Sequence, residues 1–117
     1  MLKLTVAFLL LLMTSCGESG CTDAAVAALK NIDAAVHTAA GDQLSKDKYV
    51  ALVADARAKH EAMQGCLPAK ELYSERNEHL RNALIYYDDA TDDWGSGNGP
   101  RLKEYWELAH QELSKIK

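Results

Sequence analysis

Glu107-Leu108-Ala109-His110 sets a carboxylate and an imidazole three residues apart, the spacing at which two helical side chains reach the same side. This Glu-x-x-His step is the ligand unit of di-iron helical bundles, which use it twice and add two further glutamates. Here it occurs once. Glu75 and His79 cannot supply the second copy, because they stand four residues apart rather than three. His37 and His60 belong to neighbouring helical segments, one near the turn and one near the open end, so they are expected to lie far apart. Each of the four histidines therefore reads as structural or solvent-exposed. No metal and no cofactor is assigned.

Asp88, Asp89, Asp92 and Asp93 are the more unusual group. They fall in the last turns of a helix, where negative charge opposes the helix dipole and the carboxylates repel one another. With Trp94 beside them they are the candidate contact for a cation or a basic partner. The stretch fails the calcium-loop pattern of helix–loop–helix proteins, since Pro100 stands where a bidentate acid belongs. Arg101 and Lys103, across the loop, are expected to neutralise it in part. Tyr86-Tyr87 and Tyr105-Trp106 are adjacent pairs, so one of each is expected in a core and the other at an edge. The chain offers no nucleophile with a base beside it, no phosphate-binding glycine loop and no Cys-x-x-Cys, and a non-catalytic protein is expected.

The cysteines carry chemistry of another kind. Lys3, the apolar run Leu4–Met13 and the small residues Thr14 and Ser15 make a secretory signal. Ten helical residues rise about 15 Å, half of the roughly 30 Å of a bilayer core, so the run is too short to span. Ser15 suits a general signal peptidase, but a cysteine follows it directly. Met13-Thr14-Ser15-Cys16 resembles the lipobox of bacterial lipoproteins, with Met13 in place of the usual Leu. That resemblance implies cleavage before Cys16, acylation of Cys16 (palmitate among the acyl groups) and a periplasmic location. Gly17 stands where an aspartate would retain a lipoprotein at the inner membrane, which implies the outer membrane. The resemblance covers the leader alone.

Of the three cysteines, Cys21 and Cys66 then remain, an even number in an oxidising compartment. With Lys3 removed, 12 Lys and Arg face 17 Asp and Glu, a net charge of −5. Such a surface gains nothing from anionic lipid and excludes nucleic acid as a partner. About 102 residues are left, enough for a single small core.

These residues need helices to position them. Val26, Leu29, Ile32, Val36 and Ala39 recur at helical spacing after Thr22-Asp23, and Gly41 stops the run. Ser45 caps a second helix with Tyr49, Leu52, Val53, Ala56 and Met63 on one face, ended by Gly65. Pro68 opens a third, continuous to Trp94, lined by Leu72, Leu80, Ala83, Leu84, Tyr87 and Ala90. After the break Gly95–Gly99, Pro100 starts a fourth, striped with Leu102, Tyr105, Trp106, Ala109, Leu113 and Ile116. No sustained period-two alternation occurs, so no sheet is expected. The fold class is all-α: a small antiparallel four-helix bundle or two packed helical hairpins.

A hairpin turning near Asp42–Gln43 puts Cys21 and Cys66 level at its open end, where a disulfide can form if the side chains face each other. Closing such a loop contributes about 4 kcal/mol in the chain-entropy account. The expected organisation is residues 1–15 signal, 16–20 lipidated tether and 21–117 one helical domain. Five chain steps from Cys16 to Cys21 reach at most about 18 Å, which keeps the domain on the leaflet. The expected partners are the membrane, through the lipid, and another envelope protein, with a cation- or ligand-responsive acidic segment as the alternative. Replacing Cys16→Ser should abolish radiolabelled palmitate incorporation and move the protein from the membrane pellet to the soluble fraction.

Overall fold

The computed structural model describes residues 21–37, 44–94 and 99–116, and the elements there are helices. They are α1 (Cys21–His37), α2 (Lys46–Cys66), α3 (Ala69–Leu72), α4 (Glu75–Asp93) and α5 (Gly99–Ser114). No strand occurs among the described residues, and none of their helices is long and apolar enough to cross a membrane. The signal segment, Cys16, the turn at 38–43 and the break at 95–98 lie outside the described residues.

α2 starts as its sequence requires. The Ser45 hydroxyl accepts from the Lys48 backbone N–H at 3.2 Å, satisfying one of the donors a helix start leaves unpaired. It does not stop at Gly65. The helix runs one residue further, to Cys66, and the Leu67 N–H closes it by donating to the Met63 carbonyl. The cause of the stop is Pro68, which forces the residue before it into extended backbone; Leu67 has φ −82° and ψ 144°.

The expected single helix from Pro68 to Trp94 is two helices. α3 is one turn, broken at Tyr73-Ser74, and α4 restarts under a new cap. Ser74 Oγ accepts from the Asn77 backbone N–H at 3.2 Å, while Asn77 Nδ2 donates to the Leu72 carbonyl at 2.7 Å. Ser-x-x-Asn here binds the end of one helix to the start of the next. A capping box would carry Glu or Gln at the last position, and its absence hides the break in the sequence.

The expected apolar stripes form the core: Val26, Leu29, Ile32 and Val36 of α1, Tyr49, Val53, Ala56 and Met63 of α2, Leu80, Ala83, Tyr87 and Ala90 of α4, and Trp106, Ala109 and Leu113 of α5 are all buried. Buried alanines on every long helix let the backbones approach closely. α1 packs chiefly on α2 and α4 chiefly on α5. Asp33 meets His110 while His37 meets Glu107, so α1 and α5 are antiparallel. His79 meets Glu112 while Asp93 meets Arg101, so α4 and α5 are antiparallel too. The two hairpins thus combine into one up-down-up-down bundle.

Tyr49 sits in the core with no exposed surface, stacked on Trp94 at 5.1 Å between ring centroids and tilted against Trp106 at 5.9 Å. Its hydroxyl donates to the Tyr87 carbonyl at 2.6 Å and accepts from Trp106 Nε1 at 3.2 Å. Replacing Tyr49→Phe keeps the ring but leaves the indole N–H buried without an acceptor. A loss of about 1–3 kcal/mol in urea denaturation is expected.

Candidate functional site

The last turns of α1 carry Asp33 and His37 one helical turn apart, and the middle of α5 carries Glu107 and His110. Antiparallel packing brings the two pairs face to face. His37 Nδ1 lies 3.0 Å from Asp33 Oδ1, and His110 Nδ1 lies 3.0 and 3.1 Å from the two Asp33 oxygens. The imidazole rings approach to 5.2 Å between centroids, and His37 Nε2 is 3.9 Å from Glu107 Oε2. Two imidazoles thus present their Nδ1 atoms to one carboxylate, and one of them turns its other nitrogen toward a second carboxylate.

α4 supplies the inner wall of this cluster. The Tyr87 hydroxyl donates to Asp33 Oδ1 at 3.3 Å. Burial first, and then the negative charge of Asp33, push the Tyr87 hydroxyl far above the usual tyrosine range, so it remains a donor. Asp33 is partly buried, whereas His37, His110 and Glu107 are exposed. A groove lined by Lys30, Asp33, Ala34, His110, Leu113, Ser114 and Ile116 opens beside Asp33 and His110. Among the described residues, Asp33, His37 and His110 each offer one ligand atom, all within 4.8 Å of one another.

The other histidines are placed differently. His79 Nδ1 donates to Glu112 at 2.7 Å and its Nε2 lies 3.6 Å from Glu75. Burial raises the Glu112 pKa, but the hydrogen bonds from His79 and Asn82 and the charge of Lys115 outweigh it and hold the carboxyl below its usual range. His60 is buried in the α2 face with Nε2 unpartnered.

The acidic segment divides. Asp88 is paired with Arg57 of α2, Asp93 lies 3.7 Å from Arg101 of α5, and Asp89 and Asp92 are exposed. Arg101 neutralises part of it as its position across the loop suggested. Trp94 is partly buried against Tyr49 and Trp106, so its ring serves the core. Of the paired aromatics, Tyr87 and Trp106 are buried, and Tyr86 and Tyr105 lie at an edge with centroids 6.4 Å apart.

Local spacing does not join His37 to His110, because 72 residues separate them along the chain. The signal was present as two pairs, Asp33-x-x-x-His37 and Glu107-x-x-His110, on helices predicted to be antiparallel. Compared with known protein families, curated proteins and solved structures, the chain matches none.

His60, away from this cluster, gives the fold a pH dependence. Burial first, and then Arg81, lower its pKa below 6.5, against a smaller opposing effect of Glu61. The unfolded chain takes up a proton below about pH 6.5 that the folded chain resists, so stability is complete above that pH and declines as pH falls. Thermal denaturation from pH 7.5 to 5 should show the native Tm falling more steeply than that of His60→Gln; equal slopes would exclude His60 as the group responsible.

Proposed function

We propose that this protein is a lipid-anchored, non-catalytic binding module of the bacterial periplasm, held on the outer membrane by acylated Cys16, that engages another envelope protein. The observation that carries the reading is Tyr73, which is 84% exposed. Every other described tyrosine and tryptophan is buried or partly buried. A large aromatic left in water at a helix break contributes nothing to the core, and tyrosine is among the residues that most often anchor protein interfaces.

Position supports the same reading. Thr22, Met63, Leu67, Glu71, Ser74 and Asn77 line one small pocket, so the start of α1, the end of α2 and the α3–α4 break share one end of the bundle. Tyr73 therefore stands at the end from which the tether leaves. The partner engaged there is a protein close to the membrane surface.

The Cys21–Cys66 disulfide is part of this proposal. Cys21 opens α1 and Cys66 closes α2, and these two helix termini share one end of the bundle. The side chain of Cys21 lies outside the described residues. A staple at this point would hold the tether end of the hairpin closed and fix the platform that presents Tyr73.

Substituting a photocrosslinking amino acid for Tyr73 in the full-length protein, in its own envelope, should give one discrete protein adduct of higher mass. The same substitution at Glu61, exposed on α2, should give none. Monomer alone, or adducts with lipid alone, would overturn the reading.

A further inference from the structure

We propose that Asp33, His37 and His110 form a binding site for a divalent first-row transition metal ion of the zinc type. The donor chemistry decides the class of ion. Two imidazole nitrogens and one carboxylate suit zinc, copper, nickel or iron, whereas calcium and magnesium require oxygen donors. The geometry is close to what such an ion needs. Bonds of about 2.0–2.1 Å in a tetrahedron place the ligand atoms roughly 3.4 Å apart. His37 Nδ1 and His110 Nδ1 already stand 3.0 Å from Asp33 oxygens, and one ligand atom from each residue lies within 4.8 Å of the others. Exposed imidazole rings at helix surfaces can rotate through the difference.

The surroundings of the three residues are those of a metal site. Tyr87, from a third helix, donates its hydroxyl to Asp33 Oδ1 and fixes the carboxylate from the buried side. Glu107 Oε2 stands 3.9 Å from His37 Nε2, the nitrogen turned away from Asp33. A carboxylate on the far nitrogen of a ligating histidine sets its tautomer and raises its basicity. With His37 and His110 bound through Nδ1, Glu107 is a positioning residue, and the fourth position is left to water. The groove beside Asp33 and His110 gives the ion and that water a path from solvent.

The site ties α1 to α5, and its two imidazoles and Glu107 are exposed, outside the apolar core. His37, His110 and Glu107 are therefore testable by substitution without emptying the core.

The test uses the full-length protein in detergent, stripped with a chelator, and titrated calorimetrically with Zn²⁺ alone. One ion per chain is expected, with Kd in the micromolar range or tighter, and a tenfold excess of Ca²⁺ should not compete. His37→Ala and His110→Ala should each weaken binding by more than about tenfold, and Glu107→Gln should weaken it by about tenfold at unchanged stoichiometry. Co²⁺ provides a second readout: visible d–d absorption of the tetrahedral ion that His110→Ala abolishes while far-ultraviolet circular dichroism stays unchanged. Zn²⁺ binding no tighter than about 1 mM, or binding untouched by His110→Ala, would overturn the proposal. So would binding that is lost in Asp92→Asn, since that would place the ion on the acidic segment.

Discussion

A chain of hydrogen bonds linking the four long helices constrains everything else. Trp106 of α5 donates to the Tyr49 hydroxyl of α2, which donates to the Tyr87 carbonyl of α4. The Tyr87 hydroxyl donates to Asp33 of α1, and Asp33 is met by His110, which returns to α5. The circuit touches all four long helices and closes on itself. Apolar burial alone would let helices this rich in alanine slide past one another, because small side chains make shallow ridges and grooves. Buried hydroxyl and indole groups cannot slide, since each loses its partner and remains without water to replace it. The register of the bundle is thus set by two tyrosines and a tryptophan, and the surface cluster at Asp33 is the outer end of that same circuit.

The consequence is that the cluster's geometry is inherited from the core. Tyr87 is pinned at its ring by complete burial and at its backbone carbonyl by Tyr49. Its hydroxyl therefore has a fixed place from which to hold Asp33, and Asp33 in turn collects His37 from its own helix and His110 from across the interface. An exposed group of two histidines and an acid would ordinarily be a loose surface arrangement of little energetic value. Here the acid is partly buried and anchored from within, so the imidazoles converge on a point that does not move with them.

How much of this was legible beforehand follows from what each feature depends on. The helical stripes are local, and Val26, Leu29, Ile32, Tyr49, Leu80 and Trp106 announced their faces by spacing alone; all are buried. Ser45 as a cap was equally local. The break at Ser74 was not, because a serine in a helical run is ordinary, and what makes it a cap is Asn77 turning back to the Leu72 carbonyl rather than reaching outward. The extension of α2 past Gly65 was missed because the stop is imposed by Pro68, three residues later. The histidine cluster was the least legible. It needs the register of α1 against α5, and that register is set by the Tyr49 and Tyr87 hydroxyls, whose partners no periodicity reveals. The acidic segment was conspicuous in sequence for the opposite reason: its charges are contiguous, while the arginines that answer two of them come from α2 and α5.

The two ends of the bundle are suited to different work. Cys21 and His37 are the first and last residues of α1, and sixteen helical steps of 1.5 Å separate them by about 24 Å. On the proposed anchoring, a tether of at most about 18 Å keeps the Cys21 end, with Tyr73 beside it, close to the leaflet. The histidine cluster then faces away from the membrane, into the periplasm, where diffusible ions and proteins arrive. Whatever binds at one end can reach the other only through the helices between. A change in how α1 and α5 are held at the cluster would act on Tyr87 first, and through its carbonyl on Tyr49 and the aromatic centre. The α3–α4 break lies at the other end of α4, held by the Ser74 cap, the Asn77 amide and the Ser74 N–H bond to the Glu71 carbonyl.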